Sequence, residues 1–139
     1  MRRLSASLLA GFALAGCAGG GSDAGNGAVY AAWQAHSSRV EVTASGSVAR
    51  MLRVQRGGQF GPHEGFLLHL TGAPGHGLTV KVEDNLDLTG PIPIHAGDAV
   101  VVRGEYEYNA LGGVVHWTHH DPRGHHAAGY IQVGGRTYE

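Results

Sequence analysis

The stretch GDAVVVRGEYEYNALGGVVHWTHH, Gly97 to His120, decides how this chain folds. Two runs with apolar and polar residues in alternation, Asp98 to Tyr108 and Val114 to His120, flank a loop ending in Gly112-Gly113. Alternation marks strands, and the paired glycines suit a reversal. The runs are expected to pair as an antiparallel hairpin. Register then decides which side chains share a face, because a slip of one residue inverts them all. With a four-residue loop, Asn109 to Gly112, Tyr108 lies opposite Gly113, Tyr106 opposite Val115, Gly104 opposite Trp117 and Val102 opposite His119. The apolar side chains gather on one face, with Gly104 leaving room for the indole. The other face carries Arg103, Glu105, Glu107, His116, Thr118 and His120, with Glu105 paired to His116. A five-residue loop would push Trp117 among the glutamates. Burying a Trp is worth a few kcal/mol, so the four-residue loop is favoured.

Working outward, further strands are expected. Val40 to Val54 is a long first strand with Gly46 at a point where it can bend. Phe66 to Leu70 and Leu78 to Glu83 follow, separated by the turn Ala73 to Gly77, and a final hairpin joins Tyr130–Val133 to Arg136–Tyr138 through Gly134-Gly135. Asp84 to Gly97 reads as irregular, since Pro91 and Pro93 exclude a helix interior. Val29 to His36 is at best a short helix.

Five to six strands, a long bent first strand and the Gly97-Asp98-x-Val-x-Val-x-Gly104 entry to the fourth resemble an oligonucleotide/oligosaccharide-binding (OB) fold. The expected class is all-β, a small closed OB-like barrel, with a β-sandwich as the alternative. The resemblance implies ligand contacts on the second and third strands and in the loops after strands one and four.

The N-terminus speaks to location. Met1-Arg2-Arg3 precedes an apolar run, Leu4 to Ala13, too short to span a bilayer. Leu14-Ala15-Gly16-Cys17 follows and resembles a bacterial lipoprotein lipobox, which implies cleavage before Cys17 and acylation of its thiol. The expected organisation is a signal peptide over 1–16, a lipidated Cys17 with a Gly/Ser-rich tether over 17–28, and one β-barrel domain over 29–139. Ala18, where inner-membrane retention would place Asp, implies a bacterial cell-envelope protein on the outer membrane, facing the periplasm, with membrane lipid as its partner through Cys17. Cys17 is the only cysteine, so disulfides and thiolate chemistry are excluded. Removing Arg2 and Arg3 leaves eight basic against eleven acidic side chains, a net charge of −3. That argues against a general electrostatic grip on nucleic acid.

From Gly61 onward the chain resembles an uncharacterised bacterial family, a domain of unknown function. The match rests on Gly61-Pro62-His63-Glu64-Gly65-Phe66, Asn85-Leu86-Asp87-Leu88, Gly97-Asp98, Gly104-Glu105-Tyr106-Glu107-Tyr108-Asn109, Gly112 to Pro122 and Gly129-Tyr130-Ile131. The family pattern carries His before its Asn-x-Asp element; here that position is Asp84. The resemblance implies no activity.

The chain has ten histidines, and His116, His119, His120, His125 and His126 fall within residues 116–126. Imidazole and carboxylate are the usual ligands of zinc and also suit Mn, Fe or Ni. His119 and Asp121, about 7 Å apart on one side of a strand, are the first candidates for a divalent metal, zinc before others. His120 and His125 extend that set. His116 beside Glu105 is a candidate oriented imidazole for acid/base work, with His63 in the Gly-Pro loop as a third catalytic candidate. Asn85, Asp87, Arg103 and Asn109 are candidate ligand contacts, although Asn85 and Asp87 also suit Asx turns. The sequence therefore supports an envelope lipoprotein whose barrel binds an unknown small or oligomeric ligand at a His/carboxylate site. The alternatives are a metal-dependent phosphodiester hydrolase and an envelope scaffold, and whether the chain is an enzyme stays open. Changing Cys17 to Ala should release the protein from the membrane fraction. A cleaved Cys17→Ala protein that stays membrane-bound would contradict the lipoprotein reading.

Overall fold

The computed structural model describes residues 23–56, 58–72 and 77–139. The expected signal segment, Cys17 and most of the Ala73–Gly77 turn lie outside them. In chain order the elements are α1 (Asp23–Gln34), β1 (Val40–Met51), β2 (His63–Leu70), β3 (Thr79–Asn85), α2 (Leu86–Thr89), β4 (Ala99–Glu107), β5 (Val114–His116), β6 (Tyr130–Val133) and β7 (Arg136–Tyr138).

The strands close in the order β1-β2-β3-β5-β4, and β4 pairs back onto β1 from Val40↔Tyr106 to Ser47↔Ala99. The β3–β5 pair is parallel and the other pairs are antiparallel. This is the expected OB-like barrel, with β6 and β7 outside the closed ring. Alternate residues point inward. Val42, Ala44 and Val48 of β1, Phe66, Leu68 and Leu70 of β2, Val80 and Val82 of β3, and Val100, Val102 and Tyr106 of β4 are buried together with Val115 and Ile131. Among the described residues no helix is long and apolar enough to cross a membrane.

The β4–β5 register is the one the four-residue loop requires, with Glu105↔His116, Tyr106↔Val115 and Glu107↔Val114. Tyr106 holds it. Its buried hydroxyl donates to the Gly112 carbonyl at 3.0 Å, and a Cβ on Gly113 would lie 2.2 Å from its ring. Asn109 Oδ1 shapes the loop by accepting from the backbone N–H groups of Leu111 (2.8 Å) and Gly113 (3.0 Å).

Beyond His116 the expectation of a strand reaching His120 fails. Trp117 has φ +53°, a left-handed conformation costly for a bulky residue. The chain leaves the sheet there and returns at Gly129, whose N–H donates to the His119 carbonyl at 3.0 Å. β6 then continues along β4, from Arg103↔Tyr130 to Val100↔Val133. So β5 and β6 share one edge of β4, and the His-rich segment is an excursion between them. Trp117 consequently does not sit over Gly104; it is 37 % exposed. Gly104 is small for a different reason. A Cβ there would lie 2.3 Å from the His116 carbonyl oxygen.

The helix also differs from expectation: α1 begins at Asp23, inside the stretch expected as tether. β1 pairs with β2 only from Gly46 onward, so its first half has a free edge. Asn26 covers part of it. Its amide accepts from Ser45 N–H at 2.8 Å and donates to the carbonyls of Ser45 (2.9 Å) and Thr71 (2.5 Å). Gly25 permits the approach, since a Cβ would lie 1.8 Å from the Thr43 carbonyl oxygen.

Gly104→Val should destabilise the protein by about 1–3 kcal/mol, because the backbone of His116 cannot give way without breaking the ladder. Chemical denaturation checks this. Unchanged stability would contradict the close approach of β4 and β5.

Candidate functional site

Three side chains meet on the outer wall where β4 faces β5. Glu105 and Glu107 alternate outward along β4, and His116 stands opposite Glu105. His116 Nε2 lies 3.6 Å from Glu105 Oε1 and 3.9 Å from Glu107 Oε1. Those separations exceed hydrogen-bond length, and the buried Nε2 atom has no hydrogen-bond partner. One ligand atom from each of the three residues fits within 4.8 Å of the others, an arrangement that could hold a metal ion. Ligand atoms around a tetrahedral zinc sit about 3.4 Å apart, from bonds of about 2.1 Å. The two separations from His116 Nε2, 3.6 and 3.9 Å, lie within about half an ångström of that spacing.

The electrostatics point the same way. Burial raises the Glu105 pKa above its ordinary value, the Glu107 carboxyl adds to the rise, and Glu41 contributes from the paired position on β1. His116 opposes it. Carboxylates gathered on one wall favour either a proton or a cation between them.

The other expected site residues are placed elsewhere or otherwise engaged. His119 is 7 % exposed, and its Nδ1 faces the His120 carbonyl oxygen at 2.9 Å, so that nitrogen carries the proton. His120 is exposed. Asp121 serves the turn: its Oδ1 accepts from Arg123 N–H at 2.8 Å, and its Oδ2 from the N–H groups of His125 and His126. The set His119, His120, Asp121 and His125 therefore forms no three-ligand group among the described residues. The reason is that the carboxylate expected as a ligand holds the loop together instead. Trp117 packs on this loop, stacked on His126 at 4.6 Å and tilted against His116 at 5.0 Å. Thr118, expected on the outer face, is fully buried and donates to Asp84 Oδ1 at 2.8 Å. Asp84 faces Glu64 across β2 and β3. Burial raises the Glu64 pKa, the Asp84 charge adds to this, and a hydrogen bond from the Ile92 backbone opposes it.

His63, Asn85 and Asp87 gather at the β2–β3 end. His63 Nδ1 lies 3.0 Å from the Gly61 carbonyl oxygen, and Asn85 donates to the Phe60 carbonyl at 3.0 Å. Asn85 also caps α2 by accepting from Asp87 N–H at 3.0 Å, the Asx role. In the closed ring His63, on β2, is two strands from β5 through β3 and two from β4 through β1, so the structure does not bring it to Glu105 and His116. Asn109 is taken up by its own loop. Arg103 lies on the same face of β4 as Glu105. Two residues absent from the expected site matter here. Glu107 was legible from its Glu-x-Glu spacing; Glu41 requires the β1–β4 pairing.

The turn gives a pH test. Burial of Asp121 works against ionisation, but the three backbone donors and His126 outweigh it and lower its pKa from 3.8 to about 2. The sign follows: a depressed carboxylate pKa contributes stability above the unfolded value, lost as pH falls through the folded one. The His125 and His126 amide resonances should shift with a midpoint near pH 2. A midpoint near 4, the ordinary Asp value, would contradict the turn geometry.

No curated protein and no solved structure matches the chain. A family match covers residues 14–139, nearly the whole chain. The barrel, its β4–β5 wall and the His-rich excursion all fall within that span, and the chain belongs to the family described as "Protein of unknown function (DUF3465)".

Proposed function

We propose that this protein is a lipid-anchored envelope barrel that captures its ligand through a divalent cation, zinc first, held by Glu105, Glu107 and His116. The observation that carries the reading is the His116 Nε2 atom, buried, without a hydrogen bond and flanked by two carboxylates. Burying a nitrogen without a partner costs free energy, and a cation would convert that cost into a bond. Three protein ligands would leave a coordination position for the ligand itself. The envelope address rests on the lipobox at Leu14–Cys17, and the partner there is the outer-membrane lipid.

The cation would also relieve the Glu105–Glu107 repulsion. Glu105 has a raised folded-state pKa, so its ionisation lowers stability as pH rises from the unfolded value through the folded one. Glu105→Gln should therefore leave the melting temperature of the metal-free protein equal to or above that of wild type. It should also weaken zinc binding at least about tenfold, since even outer-shell partners of metal sites cost 10–100-fold. Calorimetry on untagged protein measures the affinity, and thermal scans with and without zinc measure the linkage. A His120→Ala/His125→Ala variant, which removes two exposed imidazoles and leaves the Asp121 turn in place, should bind zinc as wild type does. Zinc affinity unchanged in Glu105→Gln would overturn the assignment. Wild-type affinity should fall as pH drops, because protons compete with the cation for the ligand atoms.

A further inference from the structure

We propose that the cleft beside this wall binds a small molecule bearing an oxyanion, a phosphate or a carboxylate, with Arg103 as the anion's receptor. The cleft has a volume of about 590 Å³ and lies against the outer faces of β1, β4 and β6, with Gly25 and Ala28 of α1 in its lining. That size matches sites for small organic ligands, about 300–1,000 Å³. Its polar lining consists of Glu41, Thr43, Ser45, Arg103, Tyr130 and Gln132. Arg103 brings only donors, and the hydroxyls of Thr43, Ser45 and Tyr130 and the amide of Gln132 can each turn a donor toward an acceptor-rich guest, while Glu41 only accepts and pairs with Glu105.

Two placements sharpen the class. Arg103 is the one cation among the lining residues, and its planar donors match an oxyanion in two-point fashion. It is exposed and pairs in register with Thr43 on β1 and Tyr130 on β6, so hydroxyl groups flank it on both sides. Glu105 is the next outward residue on β4, about 7 Å along the strand. Glu41 belongs to both places: it lines the cleft and pairs with Glu105. The cleft is thus continuous with the proposed cation site. An oxyanion on Arg103 can place one oxygen toward the cation while the polar body of the ligand lies along Tyr130 and Gln132. The cation contact rests on the metal reading above; the Arg103 contact does not.

The test titrates phenyl phosphate, and in a parallel arm benzoate, into the untagged protein with and without one equivalent of zinc. Wild type should bind one of the two probes, more tightly with zinc. Arg103→Gln should weaken that binding at least about tenfold, the loss expected for a charge-assisted pair, while keeping wild-type zinc affinity. Glu107→Gln should lose the zinc enhancement yet keep the Arg103-dependent binding seen without metal. Binding that depends on Arg103 but ignores zinc would support the cleft and overturn the cation contact. Equal binding by wild type and Arg103→Gln, or binding of neither probe by wild type, would overturn the proposal.

Discussion

The rest of the structure depends on how Tyr106 closes against Gly112 and Gly113. A phenol buried at this depth must find a partner, and the Gly112 carbonyl supplies it. Its pKa, raised to about 12 mainly by burial, keeps the hydroxyl protonated and able to donate. The ring occupies the space that any side chain on Gly113 would need. This contact selects the four-residue loop, the loop selects the register, and the register sets His116 across from Glu105. Moving the pairing by one residue would turn His116 toward the core and Val115 toward the carboxylates. The candidate site is therefore a consequence of core packing on the opposite face of the same hairpin.

Much of the fold could be read from local pattern. Alternation located β1, β3, β4 and the start of β5, and the apolar face of β4 and β5 chose their register. β2 begins at His63, inside what reads as the Gly-Pro loop, because His63 to Gly65 pair with Glu83 to Asn85. The final hairpin followed from Gly134-Gly135, both at positive φ. What escaped reading depended on contacts between distant segments. Trp117 looks like a strand residue by type, and only the arrival of β6 on the same edge of β4 ends β5 early. Thr118 turns inward because Asp84, far away in sequence, awaits its hydroxyl. α1 extends into a glycine-rich stretch because a free edge of β1 needs cover, and small residues let a helix lie close to it. Local composition describes neither edge.

The site was legible in part for the same reason. Pairing placed His116 with Glu105 and put Glu107 on the same face. The density of imidazole in 116–126 drew attention to His119 and Asp121, but a carboxylate followed by Pro-x-Gly had a competing use. Asp121 gathers three backbone N–H groups and shapes the excursion, which in turn stacks His126 on Trp117 and Trp117 beside His116. The histidine-rich loop thus acts on the wall indirectly, by packing against the ring of His116. Glu41 shows the remaining gap, since its nearness to Glu105 exists only once the barrel closes through β1 and β4.

The central claim is that a cation belongs on the β4–β5 wall and not in the loop. Anomalous diffraction at the zinc absorption edge, from crystals of untagged protein grown with zinc, locates the ion directly. The account predicts a peak between Glu105, Glu107 and the Nε2 atom of His116. A peak among His119, Asp121 and His125, or the absence of any peak on the wall, would contradict it.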